Sequence, residues 1–146
     1  MEIRKASLTD LHRLVPLFDA FRQCYDKPSD LTASTNYLAE RLKREESLVY
    51  IAVDNDEIAG FAQLYPTFSS TSLKKYWMLN DLYVSPNYRK QGIAKLLINR
   101  TKQMAKDTES MGIIIETRIT NNSANYLYDS VGFQKDGEHL YYFLEA

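Results

Sequence analysis

The chain has 146 residues, of which 45% are hydrophobic and 25% charged, with a formal net charge of −1 at pH 7. That length suits one domain rather than two separate cores, and near-neutral charge gives no whole-molecule attraction to nucleic acid or anionic membranes. A single cysteine, Cys24, excludes an intramolecular disulfide framework, and the two histidines, His12 and His139, lie too far apart to form a ligand pair, so no metal site is expected. Met1-Glu2-Ile3-Arg4-Lys5 leads into no apolar run, and no window reaches the roughly 18 apolar residues of a membrane span. The expectation is a soluble protein of the reducing cytoplasm.

In chain order, Ile3 and its neighbours suit a short first strand. Ser7-Leu8-Thr9-Asp10 has the pattern of a helix start, with Ser7 as cap and Asp10 reaching back. Leu11, Leu14, Val15, Phe18, Phe21 and Tyr25 then recur at helical spacing. Pro16 within this pattern is expected to kink or divide the helix, and Cys24 to be buried on it. After Pro28-Ser29-Asp30, a second helix is predicted from about Thr32 to Arg44 on Tyr37, Leu38 and Leu42. Leu48 to Val53 and Ile58 to Tyr65 suit two strands joined by the turn Asp54-Asn55-Asp56-Glu57, an antiparallel hairpin. Pro66 is expected to end the second strand and Thr67 to Ser72 to form a loop.

Tyr76 to Val84 follows as a strand, closed by Ser85-Pro86-Asn87. Ile93, Leu96, Leu97, Thr101 and Met104 mark a helix to about Lys106, and Ile113-Ile114-Ile115 a buried strand. Ala124, Leu127, Tyr128 and Val131 predict a short helix that ends at Gly132, and Leu140 to Leu144 a closing strand. The order β-α-α-β-β-β-α-β-α-β predicts an α/β (α+β) fold, one sheet layered with helices, as a single domain over residues 1–146.

The stretch richest in chemistry runs from Leu79 to Lys95. A strand ends, a cationic loop follows, and a helix begins near Gly92. First-turn amides of a helix lack internal partners and carry partial positive charge. Gly92 and Ala94 are small, while Arg89, Lys90 and Lys95 add full charges, a combination that fits a phosphate or pyrophosphate cradle. No Walker loop or GxGxxG is present, and the charge pattern alone fits a solvated basic helix start equally well.

Arg89-Lys90-Gln91-Gly92-Ile93-Ala94 resembles the R/Q-x-x-G-x-G/A motif of the GNAT acetyltransferase superfamily, and it follows a strand of the Asp81-Leu82-Tyr83-Val84 type usual there. Asn121, Ala124, Leu127, Tyr128, Gly132 and Phe133 resemble a second signature of the same superfamily, so the resemblance covers essentially the whole chain. It implies a mixed, mostly antiparallel central sheet and an acetyl-CoA-dependent N-acetyltransferase. It further implies that Arg89, Lys90, Gln91, Gly92, Ile93, Ala94 and Lys95 bind the coenzyme A pyrophosphate, that Leu82, Tyr83 and Val84 pair with the pantetheine arm, and that Asn121 contacts the cofactor. The implied partner is a small-molecule amine, and a homodimer is compatible with the family.

Acetyl transfer to an amine needs a deprotonated amine, a donor for the developing oxyanion and an acid for the departing thiolate. Tyr128 matches the family's acid, its alternative reading being a core tyrosine. The base is open. Asn80 cannot accept a proton but can hold a water or the amine, while Asp81 can ionise yet faces the opposite side if the strand alternates regularly. Cys24 has no histidine beside it in sequence, which favours direct transfer in a ternary complex over an acetyl-cysteine route. The resemblance sets the acceptor beside the first helix pair and the loop after the third strand, which here supply Phe18, Arg22, Tyr25, Asp26, Tyr65 and Phe68. Aromatic rings there suit a cationic amine, and Arg22 suits a carboxylate. A protein or peptide acceptor, or a non-catalytic acetyl-CoA-binding module, are the competing readings.

Overall fold

The computed structural model describes residues 1–146, which form two compact units, Met1–Glu116 and Thr117–Ala146. In the first unit the elements are β1 (Glu2–Lys5), α1 (Leu11–Gln23), α2 (Leu31–Lys43), β2 (Leu48–Asp54), β3 (Glu57–Ser69), β4 (Lys74–Val84), α3 (Ile93–Asp107) and β5 (Ile113–Ile115). Short 3-10 turns at Leu8–Asp10 and Pro86–Tyr88 precede α1 and α3. The sheet order is β1-β2-β3-β4-β5. The first four strands pair antiparallel, and β5 joins β4 in parallel through the α3 crossover.

The local chemistry explains most of these elements. Asn55 and Asp56 both adopt positive φ, 45° and 69°, the requirement of a two-residue turn whose twist matches the β2–β3 hairpin. Asp10 reaches back to the Ser7 amide at 2.9 Å, and its buried carboxylate also receives Arg4 and Arg13, each at 2.7 Å. Those bonds, the Arg4 one foremost, hold the Asp10 carboxyl far below the usual carboxylate range. Val49, Ile51 and Phe61 pack with Leu14, Val15, Phe18 and Leu38 of α1 and α2. Tyr50, on the other face of β2, lies beneath Arg100 of α3 at 4.8 Å. With helices on both faces, the central strands are apolar almost throughout rather than alternating.

Three expectations need correction here. Pro16 does not divide α1, which runs through it; the missing N–H removes one intrahelical bond while the flanking turns remain packed by Leu14, Val15 and Phe18. Pro66 does not end β3, and Thr67 to Ser69 are strand rather than loop. The reason is the register: β2 pairs with β3 only as far as Leu64, so Pro66 lies where β3 has a free edge and an absent N–H costs nothing. Cys24 is exposed, because it caps α1 at the point where the helix face turns out of the core.

The second unit contains α4 (Asn122–Ser130). The Asn121 side chain caps it by accepting from the Ala124 amide at 3.3 Å. At the far end, Phe133 N–H donates to Tyr128 C=O and Gly132 N–H to Asp129 C=O, a Schellman closure with Gly132 at φ +102°. Leu140 to Leu144 does not form the closing strand. The run has no regular secondary structure, and its five side chains are 78–92% exposed, so no burial of an apolar face supports a strand there. No helix in the chain is long and apolar enough to cross a membrane.

Candidate functional site

The pairing of β3 with β4 carries one irregularity. Gln63 stands opposite Asp81 and Leu64 opposite Leu79, so Asn80 is an extra residue, a β-bulge. The bulge breaks the alternation that would send Asn80 and Asp81 to opposite faces, and both line one cavity of about 340 Å³. Phe18, Phe21 and Arg22 of α1 form one wall, and Ala33, Ser34 and Tyr37 of α2 another, with Tyr65 of β3 completing it.

Asp81 is 2% exposed. Asn80 Nδ2 donates to one carboxylate oxygen at 2.7 Å, and Gln63 Nε2 donates to the other. Gln63 is itself oriented by the Ser47 hydroxyl, which donates to its Oε1 at 2.8 Å. Burial pushes the Asp81 carboxyl above the ordinary aspartate value, outweighing the two amide donors that favour the charged form. A carboxylate so placed is a stronger proton acceptor than a solvated one.

Tyr65 and Tyr37 share a hydrogen bond of 2.6 Å between their hydroxyls. Burial, then this bond, pushes the Tyr65 hydroxyl well above its usual value, so it stays protonated. Tyr37 stacks on Phe18 at 6.0 Å, with Arg41 over its ring at 4.7 Å. Asp19 ties the α1–α2 connection together, accepting from the Ser29 hydroxyl at 2.6 Å, the Asp30 amide at 2.8 Å and Gln23 at 2.9 Å. The Ser29 bond leads in holding that carboxyl below the usual range.

Of the expected acceptor residues, Arg22 and Tyr65 line the cavity together with Phe18, while Tyr25 and Phe68 do not. Tyr25 is 45% exposed with its ring edge-on to Phe21, and Phe68 is 73% exposed. Sequence reasoning missed Phe21, Ala33, Ser34 and Tyr37 as cavity walls. Tyr37 shares the helical spacing of Leu38 and Leu42, and the one signal that sets it apart in the sequence is its polar hydroxyl.

A second feature continues from the bulge. β5 pairs with β4 only over Trp77–Leu79, leaving Asn80 to Val84 without a strand on that edge. On the other edge, Leu82, Tyr83 and Val84 pair with Ala62, Phe61 and Gly60. Gly60 is required there, since a Cβ on it would lie 2.8 Å from the Tyr83 carbonyl oxygen. Beyond the strand, Arg89 Nε donates to the Val84 carbonyl at 3.0 Å, and its guanidinium lies 5.5 Å from the Tyr83 ring centroid. Gln91 Nε2 reaches the Asn87 carbonyl at 3.4 Å.

Lys90 and Gly92 adopt left-handed φ values of +61° and +78°, and α3 starts at Ile93 with no side-chain cap. The amides of Ile93, Ala94 and Lys95 therefore open the helix without internal partners. Lys90 and Lys95 are exposed, and the space a Gly92 Cβ would enter is clear to 4 Å. In the second unit, Asn121 uses its carboxamide oxygen as the α4 cap, and the half-buried Tyr128 ring packs edge-on against Phe133 at 5.8 Å.

Comparison with known proteins agrees with this geometry. The model of the acetyltransferase (GNAT) family matches residues 14–133. The chain is 38% identical over 146 residues to YhfO, an uncharacterized N-acetyltransferase of Bacillus subtilis (strain 168), covering 100% of this chain and 98% of that protein. It is 34% identical over 135 residues to a probable acetyltransferase of Haemophilus influenzae, covering 92% and 90% respectively. The crystal structure of a probable acetyltransferase superposes with a TM-score of 0.96 at 40% identity, covering 100% of this chain and 98% of that one.

Proposed function

Because the chain belongs to the acetyltransferase (GNAT) family and is an N-acetyltransferase, we propose that it acetylates the primary amine of a small molecule, directly from acetyl-CoA in a ternary complex. The observation that carries this reading is the buried Asp81 carboxylate at a β-bulge, inside a cavity of about 340 Å³. That volume lies at the small end of small-molecule sites, which run from about 300 to 1,000 Å³, and suits a compact amine better than a length of peptide.

The residues fit acetyl-CoA. The uncapped start of α3, with left-handed Lys90 and Gly92 and exposed Lys90 and Lys95, is an anion cradle with clear space in front of Gly92. Gln91, Ile93, Ala94 and Lys95 line it, and Arg89 braces it against the end of β4. The unpaired edge of Leu82, Tyr83 and Val84 offers backbone partners to an extended amide-bearing arm. Bound there, acetyl-CoA supplies an activated acyl group with a thiolate leaving group. Asp81 takes the proton of the acceptor ammonium, Asn80 orients the amine, and the bulge leaves backbone groups free to donate to a developing oxyanion. Tyr128 returns a proton to the leaving sulfur, and Asn121 contacts the cofactor. Tyr65 and Arg22 bind the acceptor. With Cys24 exposed at the C-terminal cap of α1, outside the cavity lining, the chain's one thiol is not placed to carry the acyl group.

The active form is proposed to be a homodimer. Its support is the exposed apolar run Leu140 to Leu144, whose five side chains are 78–92% exposed. Initial rates over a grid of acetyl-CoA and amine concentrations test the direct route. Intersecting double-reciprocal lines are expected, and parallel lines would overturn it.

A further inference from the structure

Arg22 is the cavity residue whose chemistry is unaccounted for. It lies at the C-terminal end of α1, its Nη1 atom is buried, and that atom has no hydrogen-bond partner. Buried polar groups are ordinarily satisfied, and a guanidinium N–H is a strong donor whose desolvation is costly when it is not. The nearby acids do not serve it. Asp81 is engaged by Asn80 and Gln63, and Asp19 by Ser29, Gln23 and the Asp30 amide. The cavity thus holds one proton-accepting carboxylate, one unsatisfied cationic donor, and the aromatic surfaces of Phe18, Phe21 and Tyr37.

We propose that the acceptor is an amino acid with an apolar side chain: its amine goes to Asp81, its carboxylate to the Arg22 guanidinium, and its side chain onto the aromatic wall. This rests on the acetyl-transfer reading above and narrows it. A carboxylate forms a charge-assisted bond with the guanidinium. A polyamine would instead bring further positive charge beside an uncompensated cation, which selects against it.

The test compares L-phenylalanine and L-leucine with phenethylamine and isopentylamine, their decarboxylated counterparts, and with spermidine. The wild type and the Arg22→Gln and Arg22→Lys variants are assayed with acetyl-CoA. One charge-assisted bond predicts that kcat/KM favours each amino acid over its decarboxylated amine by about 10- to 100-fold, through KM rather than kcat. Arg22→Gln collapses that ratio toward one, and Arg22→Lys restores part of it. Preference for phenethylamine or spermidine, or an equal effect of Arg22→Gln on amino acid and amine, overturns the proposal while leaving acetyl transfer standing. If no acceptor turns over, the transfer reading itself fails, and calorimetric titration still decides the Arg22 claim. Binding of L-phenylalanine that exceeds phenethylamine and is lost in Arg22→Gln supports it; equal binding, or none, overturns it.

Discussion

Replacing Asp81 by asparagine removes the proposed base while changing little else. The carboxylate is 2% exposed and accepts one bond from Gln63 and one from Asn80. Gln63 is locked by Ser47, so the oxygen of the new carboxamide takes the Gln63 bond. The new NH2 group then faces Asn80, which is exposed and free to turn its own oxygen inward. The loss of charge-assisted bonds is offset by relief from burying a charge, so stability should change by no more than about 1 kcal/mol, or roughly 3 °C in Tm.

A general base contributes about 10²- to 10⁴-fold, so kcat in Asp81→Asn should fall at least 100-fold, about 2.7 kcal/mol in the barrier. The pH profile gives an independent sign. Burial raises the Asp81 value, so the wild-type acid limb of kcat/KM lies above that of an ordinary aspartate near about 3.9, and activity rises as pH rises through it. Asp81→Asn should abolish that limb. The assay is stopped-flow thiol release across pH with saturating acetyl-CoA. A kcat within about threefold of wild type, with the acid limb unmoved, would refute Asp81 as the base.

Four further outcomes follow from the same geometry. Asp10→Asn should cost about 2 kcal/mol in urea unfolding at neutral pH, since the carboxylate bonds to Arg4 and Arg13. Because the folded value is depressed, that difference is complete above the unfolded value of about 3.9 and should shrink as pH falls below it; a gap independent of pH would contradict the assignment. Gly92→Val forces a β-branched residue into φ +78°, at about 1–2 kcal/mol or more, and calorimetry should show acetyl-CoA affinity falling at least about tenfold; unchanged affinity would remove the α3 start from the cofactor site. Tyr128→Phe should lower kcat by about 10²-fold without altering acetyl-CoA affinity, and an unchanged kcat would return Tyr128 to a packing role. Light scattering should find a dimer that Leu140→Asp with Phe143→Asp converts to a monomer; a monomeric wild type would discard the proposed homodimer.

The sequence was most legible where local chemistry decides structure. Asn55-Asp56 specified the hairpin turn, Gly132 the end of α4, and the spacing of Ile93, Leu97 and Met104 the buried face of α3. It was less legible where long-range pairing decides. Whether Pro66 ends a strand depends on where β2 stops alongside it, and Leu140 to Leu144 has strand composition without regular secondary structure. The largest gain concerns Asn80 and Asp81. Regular alternation would have separated them, and only the register of β3 against β4 reveals the bulge that brings both to one cavity. Tyr37 was invisible for a related reason: its hydroxyl meets Tyr65 across 28 residues of sequence.

The central claim is acetyl transfer to an amine held beside Asp81. Its most direct measurement is incubation of the protein with acetyl-CoA and a panel of amino acids, polyamines, aminoglycosides and peptides, following thiol release and identifying products by mass spectrometry. The account predicts acceptor-dependent thiol release with a matching N-acetylated small molecule, slowed at least about 100-fold in Asp81→Asn. Tight acetyl-CoA binding with no acetylated product from any acceptor would contradict it.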